Sequence, residues 1–246
     1  MTSRQRDQAP ATSSELNDLR IYDDFADRWW SGSVGWLRTL NNMVPARLRY
    51  FDGVIGDWQG KTVLDIGCGG GFMAEALADK GASVIGIDPA EDAIRAARAH
   101  ADERKLEIDY RVGTGENLPF NDESFDAIVC VDVLEHVADV NRVITEAARV
   151  SKSGSLFLFD TINRNPLARL VAVFAAERVL RLLPRGTHDP DKFITPGELK
   201  TMLEQAGFSD VSFAGLGPTG INRRFDLTFG RVPTTLVQYM GHGRRV

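Results

Sequence analysis

Val63-Leu64-Asp65-Ile66-Gly67-Cys68-Gly69-Gly70-Gly71-Phe72 is the stretch that decides the fold. Its opening is an apolar run broken by one acid, the pattern of a buried strand. The glycines follow at once, and Phe72 to Asp79 then reads as a helix. Glycines between a strand and a helix permit tight turns and close backbone approach to a ligand. A second strand, Ser83 to Asp88, ends on an acid 21 positions after Gly67. In open α/β sheets an acid so placed reaches ribose hydroxyls. The dinucleotide fingerprint G-x-G-x-x-G needs a glycine where Phe72 stands, so the loop departs from the pyrophosphate pattern.

Working outward, the alternation continues. Ala90 to Ala101 reads as a helix, Ile108 to Val112 as a third strand and Phe125 to Val131 as a fourth. A helix over Ala138 to Val150 and a strand over Ser155 to Asp160 follow. Thr195 with Glu198 predicts a capped helix start, and Gly207 its stop. Strands alternating with helices predict an α/β fold: a mostly parallel sheet with helices on both faces. Upstream, residues 20–58 hold all four tryptophans and predict two or three short helices packed on the body as a cover. Residues 1–19 are polar and expected to be disordered.

The bulk numbers narrow the class. At 246 residues, 43% apolar and 26% charged, the chain suits one soluble domain with an appendage. Cys68 and Cys130 are too few for a disulfide scaffold and are expected to be small buried residues. No stretch has 18 uncharged apolar residues, and the start lacks a signal-peptide core, so a cytoplasmic protein is expected. A net charge of -5 argues against broad contact with nucleic acid.

Together with the glycine loop, Gly113-Thr114-Gly115-Glu116-Asn117-Leu118-Pro119-Phe120 and Phe125-Asp126 give the chain its likeness. Over roughly residues 60–160 it resembles the class I S-adenosylmethionine-dependent methyltransferases. The resemblance implies a Rossmann-like, mostly parallel seven-stranded sheet and S-adenosyl-L-methionine as cofactor. It places Gly67 and Gly69 by the methionine part, with Asp65 near the cationic end. Asp88 would bind both ribose hydroxyls. Thr114, Gly115 and Glu116 would flank adenine, and Val131 is counted with them. A sulfonium cofactor has no pyrophosphate, which removes the need for a third glycine. An oxidoreductase using the same nucleotide fold is the competing class.

A narrower likeness comes from separated blocks: Trp29-Trp30, Asn42 to Leu48, Cys130 to Val137, Thr161 to Asn165, Ala176 to Asp189 and Lys192 to Pro196. Over about residues 20–205 the chain resembles the ubiquinone-biosynthesis O-methyltransferases. That implies methylation of a phenolic hydroxyl on a polyprenylated catechol-type quinone precursor, with Arg47 on the cofactor carboxylate. It implies a methyltransferase domain over residues 20–246, with the cover at 20–58 and an amphipathic lid at 164–194. The chain departs from the family at Asp132, often Glu there, and at Val44. From Gly217 onward it matches only loosely, in Gln238-Tyr239-Met240. The alternatives are another small hydroxylated aromatic or lipid acceptor, or a non-catalytic nucleotide- or lipid-binding protein.

A phenol with a pKa of about 10 needs a base or a metal to react near neutral pH. Asp132, Glu135 and His136 follow the fourth strand, at the end where ligands bind. On a helical turn Asp132 would share a face with Glu135 or His136. The resemblance associates this triplet with Mg2+; without metal, His136 would be the base, oriented by a carboxylate. His188 would contact the acceptor or cap the next segment, and ranks below His136. His100 and His242 are expected to be solvated.

Pro166 to Leu183 has an amphipathic pattern, and residues 164–186 carry five arginines against Glu177. Such a helix suits an interface with anionic lipid. With a bilayer-borne acceptor tail, this predicts reversible peripheral binding to the inner face of the cell membrane, alongside biosynthetic-complex partners.

Overall fold

The computed structural model describes residues 20–171 and 187–246. Residues 1–19, and the 172–186 part of the expected lid and amphipathic helix, lie outside them. The strands are β1 (Thr62–Ile66), β2 (Ser83–Asp88), β3 (Ile108–Val112), β4 (Phe125–Cys130), β5 (Ser151–Ile162), β6 (Phe208–Ile221), β7 (Leu227–Val232) and β8 (Gln238–Arg245). They form one sheet in the order β3-β2-β1-β4-β5-β8-β6-β7. The first five are parallel, with Leu64 beside Ile85 on one side and Ile128 on the other. The chain runs β1 to β3 in one direction and then returns to place β4 on the far side of β1. Ligands bind outside the carboxyl ends at such a switch point.

Alternation along β1 divides the core between the two faces. Val63 packs with Val84, Ala74, Leu77, Ile94 and Phe51. Leu64 and Ile66 face the other way, onto Val143, Ile144, Leu199 and Leu203. The first face is covered by α2 (Gly35–Ile55), α3 (Phe72–Ala78) and α4 (Glu91–Arg104). The second is covered by α5 (Val140–Val150) and α7 (Pro196–Gln205). The expected capping box at Thr195 and Glu198 is formed.

Two expectations need correction. The cover is not a set of short helices only: α1 (Arg20–Asp24) is short, but α2 has 21 residues. Pro45 removes one donor from α2, yet Met43, Val44, Ala46 and Arg47 around it are all buried. That packing sustains the helix through the proline. The sheet has eight strands rather than seven, because β6 turns back through a hairpin into β7. Glycines hid this pattern. A Cβ at Gly215 would lie 2.0 Å from the Thr234 oxygen, so the close approach needs glycine and interrupts the apolar alternation. No described helix is long and apolar enough to cross a membrane.

Candidate active site

A cavity of about 500 Å³ opens at the β1–β4 switch point. Its wall contains all nine residues expected around the cofactor: Arg47, Asp65, Gly67, Gly69, Asp88, Thr114, Gly115, Glu116 and Val131. Gly67 and Gly69 have φ of 70° and 49°, where a side chain is strained. The cover closes over the loop. A Cβ at Gly70 would lie 2.3 Å from the Trp29 ring. Trp30 Nε1 donates to the Gly70 oxygen at 2.8 Å, and its ring stacks on His100 at 3.7 Å between centroids. His100, expected to be solvated, is therefore a packed residue, and its Nδ1 lies 2.8 Å from the buried Glu75 carboxylate. His242 is likewise engaged, with its Nδ1 2.9 Å from the Tyr50 hydroxyl.

Asp65 is fully buried on the cavity wall, and among the described residues neither carboxylate oxygen has a hydrogen-bond partner. Burial, then the nearby Asp88 charge, push its carboxyl up to about 8, against a smaller pull from Arg47. Asp88, at the end of β2, accepts from the Gly69 and Ala90 amides at 2.8 Å each. Burial outweighs these bonds and moves it up to about 6. An orphaned buried carboxylate is costly unless a cation or donor meets it. A pyrophosphate would be repelled there, whereas a cationic sulfonium amino acid fits. Cys68 and Cys130 are both buried, as expected, and burial raises both thiols.

On the acceptor side, Asp160 organises a buried charge cluster that sequence reading passed over. Its Oδ2 accepts from Arg47 Nε at 2.5 Å and its Oδ1 from the Asp132 amide at 2.7 Å. Asp132 has a φ of 55°, a left-handed conformation held by that bond. Its own carboxylate meets Arg47 Nη2 at 2.5 Å and accepts from Gln238 Nε2 at 3.3 Å. The two acids hold the Arg47 guanidinium charged despite burial.

The turn at 134–136 is not helical, so Asp132 does not share a helix face with Glu135 and His136. This corrects the expected triplet. Asp132 and His136 line the cavity; Glu135 lies behind, fully buried, and accepts from Thr161 Oγ1 at 2.8 Å. Burial, then Asp132 and Asp160, raise the Glu135 carboxyl. His188, also buried, stacks on the His136 ring at 5.3 Å. Burial, then His188 and Lys192, push the His136 imidazole down to about 3, so it is neutral. The groups that converge are Glu135, His136 and His188, whose ligating atoms lie within 4.8 Å of one another. A magnesium set of Asp132, Glu135 and His136 does not fit this geometry, because the Asp132 carboxylate is committed to Arg47.

The class follows from this cavity and sheet. Residues 64–159 match the family described as methyltransferase domain. A SAM-dependent methyltransferase from Thermotoga maritima has the same fold, with a TM-score of 0.67 at 20% identity over 92% of this chain and 99% of that one. The fold is that of a methyltransferase. Closer likeness is found with the ubiquinone biosynthesis O-methyltransferase of Alkalilimnicola ehrlichii, 41% identical over 92% of this chain and 90% of the relative. That of Bordetella pertussis is 37% identical over the whole of both chains. The chain belongs to the ubiquinone biosynthesis O-methyltransferase family.

Proposed function

We propose that the chain transfers the methyl group of S-adenosylmethionine to a phenolic oxygen of a polyprenylated catechol-type precursor of ubiquinone. The observation that carries the reading is Asp65: a buried, unpartnered carboxylate on the cavity wall calls for a cationic ligand. The acceptor half draws its support from the relatives' function in ubiquinone biosynthesis.

When bound, the cofactor supplies a methyl carbon on a positive sulfur and departs as a neutral thioether. Asp88 accepts from the ribose hydroxyls. Thr114, Gly115 and Glu116 flank the adenine, with Val131 beside them, while Gly67 and Gly69 allow close backbone approach. Arg47 spends Nε and Nη2 on Asp160 and Asp132, which aims the guanidinium at the cofactor carboxylate. His136, on the cavity wall with Glu135 behind it, takes the phenolic proton as the oxygen attacks the methyl carbon. Asp132, fixed by Asp160, shapes the acceptor side. Alignment of the reacting atoms supplies a large share of the acceleration. No step passes through magnesium, whose expected donors are not assembled.

Membrane and complex contacts complete the reading. Leu167, Leu170 and Val171 are exposed just ahead of the Arg-rich stretch, which suits reversible binding to anionic lipid at the inner membrane face. Flotation with anionic vesicles is expected to recover the chain, and Arg178→Glu with Arg181→Glu to reduce recovery. Equal recovery with neutral vesicles would remove this part.

The cofactor test is thermal unfolding with S-adenosylhomocysteine or NAD. Stabilisation by the first alone is expected; stabilisation by NAD alone would indicate an oxidoreductase. Product analysis with catechols that carry or lack a prenyl tail, repeated with EDTA, tests the acceptor.

A further inference from the structure

The Glu135–His136–His188 cluster is a chemically different site from the triplet the sequence suggested. Two of its members leave the same turn after β4. The third arrives from residues 187–194, a segment that returns to the core after strand β5 and its following turn. All three side chains are buried, and one ligating atom from each lies within 4.8 Å of the others. The Lys192 ammonium fastens the same segment to the turn by donating to the His136 and Val137 oxygens at 3.1 and 3.3 Å.

We propose that Glu135, His136 and His188 bind a divalent transition-metal ion of the zinc class. Two imidazoles and one carboxylate suit zinc, cobalt(II) or iron(II). Magnesium prefers an oxygen set, and the one further carboxylate nearby, Asp132, is held by Arg47 at 2.5 Å. Glu135 already has the outer contact that such sites require, because Thr161 Oγ1 donates to its second oxygen. The ion would pin the 187–194 segment to the turn that lines the acceptor side of the cavity. His136 then has two separable states. Free, it offers a lone pair to the acceptor proton; ligating, it commits that lone pair to the metal. The site deepens the methyltransferase reading at the same cavity, but its binding chemistry requires neither cofactor nor acceptor.

The test is metal binding by the chelator-treated full-length protein, without cofactor or acceptor. Equilibrium dialysis against zinc chloride is expected to load about one ion per chain, with magnesium unable to compete at millimolar excess. Cobalt(II) is expected to give visible ligand-field bands. His188→Ala should weaken zinc by about tenfold or more, since loss of even an outer partner costs that much. His188→Cys should keep the metal and add a thiolate-to-cobalt charge-transfer band in the near ultraviolet. Asp132→Asn should bind zinc as the parent does. S-adenosylhomocysteine binding reports that each variant is folded. Failure of the parent to bind zinc, equal competition by magnesium, or loss of zinc on Asp132→Asn but not on His188→Ala would overturn the site. Any of these would leave the methyltransferase reading standing, because homocysteine-cofactor binding and methyl transfer are measured separately.

Discussion

Arg47 and Asp160 come from segments 113 positions apart and meet through a 2.5 Å Nε–Oδ2 bond, with the Asp160 side chain wholly buried. The pair joins the helical cover to the end of β5. Through its other oxygen Asp160 also holds the strained backbone of Asp132. One carboxylate thus aligns a cofactor-side cation and an acceptor-side acid.

Removing Asp160 strands a buried guanidinium. Asp160→Ala is expected to cost about 3–5 kcal/mol of stability. It should also weaken S-adenosylhomocysteine binding, because Arg47 loses its anchor. Urea unfolding and titration calorimetry check both. An Asp160→Ala protein as stable as the parent would deny the pair this role.

Asp65 sets up a trade between stability and binding. Its folded-state pKa of about 8 lies above its ordinary 3.8, so the folded protein holds the proton more tightly than the unfolded chain. Stability from this group is therefore complete at low pH and is lost as pH rises from about 4 through 8. Asp65→Asn should flatten that slope and raise Tm at pH 9 more than at pH 6. The same change should weaken S-adenosylhomocysteine binding. Scanning calorimetry at the two pH values decides it; an identical Tm shift at both would contradict the assignment.

Asp88 governs cofactor affinity in the acid range. Its carboxyl, moved up to about 6, is protonated below that pH and loses acceptor strength toward ribose hydroxyls. Affinity for S-adenosylhomocysteine should fall as pH drops through 6. Asp88→Asn should lower affinity roughly ten- to a hundredfold, as expected for a charge-assisted hydrogen bond, and flatten the pH profile. A parent-like profile in the variant would place the titrating group elsewhere.

Gly70 is small because Trp29 lies on it. Gly70→Ala should cost about 1–3 kcal/mol by overpacking. Combining it with Trp29→Ala should cost less than the two single changes summed, because the clash is gone. A double-mutant cycle by chemical denaturation measures the coupling, and strict additivity would show that the ring is free to move aside.

The cofactor side was legible in the sequence because its residues sit at strand ends beside glycines. Asp65, Asp88 and Thr114 to Glu116 follow β1, β2 and β3 in order, and the switch point gathers them without further information. The acceptor side was not. Asp160 closes the apolar run Leu156 to Phe159 and reads as a strand end; its role depends on Arg47, far away in sequence. Asp132, Glu135 and His136 have helical spacing, but a positive φ at Asp132 turns its carboxylate to Arg47 and leaves His188 to join the other two. His100 looked solvated on a charged helix, because neither the buried Glu75 nor the Trp30 ring is near it in sequence. The eighth strand was hidden by glycines that close approach requires.

The central claim is methyl transfer to a prenylated phenol, and transfer of radiolabelled methyl from S-adenosylmethionine tests it most directly. Label should appear in a catechol bearing a polyprenyl tail, less in the tail-less catechol, and in neither with Asp88→Ala. No label in any catechol from a folded protein that binds S-adenosylhomocysteine would contradict it.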